Sequence, residues 1–114
     1  MATIKAYTGL SQSKTLSKIL PLESADMYWW SSGKRYYIEA MDDGDFNEEE
    51  GHVRAWSLAA LLDILPKAIN NETLFIETSP ALWHIGYRNI YTARADNPVD
   101  ACFELIIINK LNLL

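Results

Sequence analysis

Residues Met27–Tyr37 read MYWWSSGKRYY, and whether those rings form a strand pair decides the fold. The wider stretch Ser24–Met41, SADMYWWSSGKRYYIEAM, is rich in aromatic and β-branched residues on either side of Ser32-Gly33. Such side chains suit a pleated, half-buried surface, and Ser-Gly supplies a turn, so the stretch predicts a β-hairpin. A turn on Ser32-Gly33 sets Trp30 opposite Arg35, Trp29 opposite Tyr36, Tyr28 opposite Tyr37 and Met27 opposite Ile38. Side chains alternate along a strand. Ala25, Met27, Trp29, Tyr36, Ile38 and Ala40 therefore share one face, expected to be core. Asp26, Tyr28, Trp30, Arg35, Tyr37 and Glu39 share the other. That second face mixes rings with charges, as recognition surfaces do, which makes Tyr28, Trp30, Arg35 and Tyr37 the candidate partner-binding residues. Cross-strand ring pairs also stabilise hairpins that bind nothing, and a neighbouring helix or the C-terminal LNLL could cover them.

Working outward, SQSKTLSKILP before the hairpin spaces Leu16, Ile19 and Leu20 one helical turn apart, with Pro21 as the stop. After it, DDGDFNEEEGH is a polar, charged loop. A second helix is expected from Ser57 as N-cap through Leu58, Leu61, Leu62 and Leu65, ended by Pro66. Past a connection holding Asn70-Asn71, TLFIETSPALWHIGYRNIYTAR predicts two or three strands with turns at Ser79-Pro80 and Arg88-Asn89. In DNPVDACFELIIINKLNLL, Asn97 is the N-cap of a third helix, with Pro98 at its first position and Asp100 in its first turn. The expected fold is one α+β domain over residues 1–114, an antiparallel sheet of four or five strands with three helices, in the order α-β-β-α-β-β-(β)-α.

Composition narrows the classes. A chain of 114 residues is the size of one domain, and 49% hydrophobic with 22% charged residues is globular. No apolar run approaches the roughly 18 residues of a membrane span. The first residues, MATIKAYTGL, carry no secretory h-region. A single cysteine, Cys102, fits a reducing compartment, so the expected location is cytoplasmic. With 10 basic against 15 acidic residues and a net charge of -5, binding to a nucleic-acid backbone is not expected. The acidic residues instead cluster, at Asp42, Asp43, Asp45 and Glu48–Glu50.

Motifs for chemistry are sparse. Asp43, Asp45 and Asn47 begin an EF-hand-like spacing, but Glu48 stands where Gly is required and Arg54 where the bidentate Glu belongs, so no metal site is expected. Cys102 falls among Phe103, Leu105 and Ile106, the setting of an inert buried thiol rather than a nucleophile. Neither catalytic residues nor cofactors are indicated. A non-enzymatic interaction or accessory protein is favoured. The alternatives are a small hydrolase or transferase using His84 or His52 with a carboxylate, and an acidic decoy of nucleic-acid-binding proteins.

LPLESADMYWW, WSLAALLDILP and DNPVDACFELI resemble segments of a family of small uncharacterised bacterial proteins, of the kind carried by prophages or mobile elements. The resemblance implies one α+β domain with its last helix starting at NPVDA, and brings no catalytic residues. The last helix suggests association as well. Val99, Cys102, Leu105 and Ile106 would fill one face, yet Phe103, Ile107, Ile108, Leu111, Leu113 and Leu114 continue around it. A helix apolar on most sides needs cover from another element or from a second copy in a homodimer.

Overall fold

The computed structural model describes residues 5–42 and 44–108. The chain is α+β, with three α-helices and two antiparallel sheets among the described residues. In order come α1 (Leu10–Ser17), β1 (Met27–Ser32), β2 (Arg35–Ala40), β3 (Val53–Ala55), α2 (Leu58–Ile64), β4 (Ala68–Ile69), β5 (Glu72–Thr78), β6 (Trp83–Tyr87), β7 (Tyr91–Ala95) and α3 (Pro98–Ile108). The strands expected in one sheet are divided between two, ordered β2-β1-β3 and β4-β5-β6-β7. The additional strands β3 and β4 are too short to carry a period-two pattern. Asp43 and the stretch from 109 onward, with Leu111, Leu113, Leu114 and the LNLL expected as a cover, lie outside the described residues.

Local chemistry explains the element ends. Ser57 Oγ accepts the Ala60 N–H at 3.2 Å and opens α2. Asn97 Oδ1 accepts the Asp100 N–H at 2.8 Å and opens α3, with Pro98 as the first helical residue. Asn70 and Asn71 take φ of 50° and 70°, which turns the expected connection into a tight β4–β5 hairpin. The β1–β2 turn falls on Gly33-Lys34, one residue later than Ser32-Gly33. Gly33, at φ 66°, occupies the first central position of a primed turn, which glycine adopts without steric penalty. The register becomes Trp30 opposite Tyr37, Trp29 opposite Ile38 and Tyr28 opposite Glu39. Each pairing moves by two positions, so every side chain keeps its face.

The core joins Leu16 and Leu20, Trp56, Leu61 and Leu65 of the α2 region, Ile85, Tyr87 and Ala93 of β6 and β7, and Val99, Cys102, Leu105 and Ile106 of α3. Helix α3 packs on β6 and β7 and also against α2. Val99, Cys102, Leu105 and Ile106 are therefore covered within the chain, while Ile108 stays exposed. No helix among the described residues is long and apolar enough to cross a membrane.

A polar cluster fastens the chain ahead of α1 to the start of α3. Asp100 Oδ1 accepts from Lys5 Nζ at 2.7 Å and Gln12 Nε2 at 2.8 Å, while Oδ2 accepts from Asn97 Nδ2 at 2.8 Å. Burial raises this carboxyl, and the three hydrogen bonds with the Lys5 charge more than offset it, holding it below the ordinary aspartate value. A lowered folded-state pKa gives stability that is present above the ordinary value near 4 and lost as pH falls through the lowered one. Asp100→Asn should therefore cost about 1 kcal/mol at pH 7, with the gap to wild type closing below about pH 4. Urea denaturation at both pH values checks this, and a gap that does not close would contradict it.

Candidate functional site

The β1–β2 hairpin stands clear of the core at its end, where every residue from Ser31 to Tyr37 is exposed. Trp30 and Tyr37, directly opposite one another, stack with centroids 4.8 Å apart and planes at 28°. Tyr37 keeps 40% of its surface exposed. Arg35 lies beside them at the tip, opposite Ser32, and is exposed. Three of the predicted residues, Trp30, Arg35 and Tyr37, thus share one face of the hairpin's outer half. The rings form a flat apolar tile with a guanidinium at its rim, suited to stacking and to carboxylates.

Tyr28 shares that face but is only 3% exposed. Phe46 meets its ring edge-on at 5.6 Å, and His52 stacks on it at 5.1 Å. Its hydroxyl donates to Glu39 Oε2 at 3.0 Å. Burial, then the Glu39 hydrogen bond and the surrounding acidic charges, push the phenol above its ordinary value. Tyr28 consequently fixes Glu39 in place and does not itself reach the surface. On the opposite face the expected core reaches only part of the way. Trp29 is half-buried, its indole N–H donating to the Thr8 carbonyl at 3.1 Å and its ring edge-on to Tyr7 at 5.7 Å. Tyr36, expected in the core, is 48% exposed, because it sits on the tip beyond the elements that shelter Trp29.

The acidic segment supplies the cover over Tyr28. Its turn at Glu48–Glu50 starts at Asn47, whose side chain accepts the Glu49 N–H at 2.9 Å and whose own N–H donates to His52 Nδ1 at 3.0 Å. Arg54 donates to Glu48 Oε1 at 2.7 and 3.0 Å, and to the Ser17 and Leu20 carbonyls that end α1. Phe46, and the stacking of His52 on Tyr28, escaped the sequence reading; the available signal was a lone phenylalanine in an otherwise charged run, which needs somewhere dry to go.

Among the described residues the other reactive groups are not gathered into a site. Cys102 is fully buried, and burial pushes its thiol up to about 12, which leaves it un-ionised at neutral pH. His84 borders an open hollow of about 560 Å³ on the outer face of the second sheet, with Phe75, Glu77, Arg88 and Arg94. Its Nε2 lies 3.1 Å from Ser79 Oγ, while Glu77 faces Arg88 at 3.4 Å. His52 Nε2 stands 3.8 Å from the Glu50 carboxylate, beyond hydrogen-bond length. Among the described residues no group of three or more His, Cys, Asp or Glu side chains is arranged to hold a metal ion. Comparison with known protein families, with curated proteins and with solved structures found no match.

Proposed function

We propose that this chain is a non-enzymatic protein-interaction domain whose contact element is the outer half of the β1–β2 hairpin, with Trp30, Arg35 and Tyr37 touching the partner and Tyr28 supporting them from below. The observation that carries this reading is the stack of half-buried Trp30 on exposed Tyr37, which lies outside the core cluster. Rigid rings with an arginine at the rim are the side chains that dominate binding energy at interfaces. The acidic segment that covers Tyr28 favours partners that bring a cation to it. A single buried thiol is in keeping with a cytoplasmic setting, and the resemblance to small prophage-type bacterial proteins with an accessory role.

The test is Trp30→Ala/Tyr37→Ala. The double variant should keep its helical circular dichroism and lose about 1–2 kcal/mol at most, the worth of one ring pair with its partial burial. Any association that size exclusion with light scattering detects for wild type should be lost in the double variant. An unfolded double variant would place the rings in the core and contradict the reading.

A further inference from the structure

We propose that the partner at this hairpin is a second copy of the chain, joined antiparallel, edge to edge, through β2; the inference rests on the hairpin being the contact element. β2 is the outer strand of the β2-β1-β3 sheet, six residues long and exposed at all but Ile38. An edge of that length offers unpaired backbone groups to another strand. The free groups can be identified. Hydrogen bonding alternates along an antiparallel pair, and the Met41 N–H donates to the Asp26 carbonyl at 2.9 Å in register with the hairpin. The odd-numbered positions Arg35, Tyr37 and Glu39 therefore turn their N–H and C=O toward β1. Tyr36 and Ile38 turn theirs outward.

The sequence of β2 is self-complementary in one of the registers that this phase allows. Running Arg35-Tyr36-Tyr37-Ile38-Glu39 against its own reverse sets Tyr36 opposite Ile38, where the outward groups exchange main-chain hydrogen bonds on both sides of a two-fold axis. Tyr37 falls on the axis, opposite its own copy. Arg35 falls opposite Glu39 at both ends. On one face the pairs across the joint are cation with anion, ring with ring and anion with cation; on the other, Tyr36 meets Ile38. The Tyr28 hydroxyl holds Glu39 ready for that pairing, which gives the buried phenol a purpose. The joint consumes both β2 edges, and the other edge of this sheet is β3 with only three residues, so the assembly closes as a dimer and does not extend into a fibre.

Charge exchange tests the register. Light scattering should give wild type a mass rising with concentration from that of the 13.0 kDa chain to about twice it. Arg35→Glu and Glu39→Arg each set like charges opposite one another at both ends, and each should weaken dimerisation about tenfold or more. An equimolar mixture of the two variants restores both attractions and should dimerise like wild type. Because Glu39→Arg also removes the partner of Tyr28, a second pair of variants guards against a folding defect. Tyr37→Cys, on the axis, should crosslink under mild oxidation, while Tyr36→Cys should not; Cys102 is buried and silent. A wild type that stays monomeric, a dimer indifferent to both charge variants, or crosslinking through Tyr36→Cys instead would overturn self-pairing. Any of these with a folded Trp30→Ala/Tyr37→Ala variant would leave the contact reading standing, whereas unfolding of that variant sinks the reading itself.

Discussion

Trp56→Ala should destabilise the chain by about 3–5 kcal/mol, the usual cost of emptying a large aromatic site. Against a typical domain stability of about 5–15 kcal/mol that is a third or more of the total. Trp56 is fully buried and, among the described residues, is the largest of the fully buried side chains. It is also a junction. Its N–H donates to Thr8 Oγ1 at 3.1 Å, its carbonyl accepts the Thr8 N–H at 2.9 Å, and its indole N–H donates to Ser24 Oγ at 3.0 Å. Thr8 Oγ1 in turn lies 2.7 Å from Ser13 Oγ in α1. The ring therefore fills the core while its polar atoms tie the chain before α1 and the turn before β1 to the start of α2. Trp56→Phe keeps most of the volume and should cost roughly half as much, the remainder reflecting the lost hydrogen bond to Ser24 Oγ, which keeps its own bond to the Pro21 carbonyl, and the smaller ring. Urea denaturation of both variants checks the pair, and a loss under about 1 kcal/mol for alanine would contradict the central position given to this residue.

Gly86→Ala should cost about 3 kcal/mol, a large penalty for one methyl group. Gly86 pairs with Thr92, and β6 and β7 approach so closely there that a Cβ would sit 2.4 Å from the Tyr91 carbonyl oxygen and 2.6 Å from Thr92 Cα. Both obstacles are backbone, so the strands themselves must part. The disturbance would reach the neighbouring Tyr87–Tyr91 pair, edge-on at 5.8 Å, and the hydrogen bond from the Tyr87 hydroxyl to the Pro66 carbonyl at 2.6 Å. Burial, then Tyr91 and Cys102, push that phenol up to about 12. Thermal unfolding should fall by on the order of 10 °C. An unchanged melting temperature would mean that the strands accommodate the methyl group.

What the sequence disclosed and what it withheld divide along the range of the interactions. Both ends of α2 and the start of α3 are legible because Ser57 and Asn97 cap through bonds within three residues, and Pro66 and Pro98 act on their own backbone. The two faces of the hairpin survived a misplaced turn because a slip of two positions leaves the period-two pattern unchanged. The register itself was not legible, since Ser32-Gly33 and Gly33-Lys34 both offer glycine to a turn and only the second sets it at the first central position. Burial on the hairpin failed for a longer-range reason. Tyr28 is buried by Phe46 and His52, supplied by a segment whose charges make it read as solvated, and Tyr36 is exposed because no element extends to the tip. Trp56 stands between β3 and α2 and belongs to neither pattern, so its place at the centre of the core follows only from the tertiary structure. The division of the strands into two sheets is likewise a matter of partners distant along the chain.

The most direct measurement is amide hydrogen exchange along β2 as the protein concentration is raised. Edge pairing predicts that the Tyr36 and Ile38 amides, which point away from β1, exchange fast in dilute solution and slow progressively with concentration, while Tyr37, bonded to β1 throughout, stays protected at every concentration. Tyr36 and Ile38 amides whose exchange is fast and independent of concentration would contradict it.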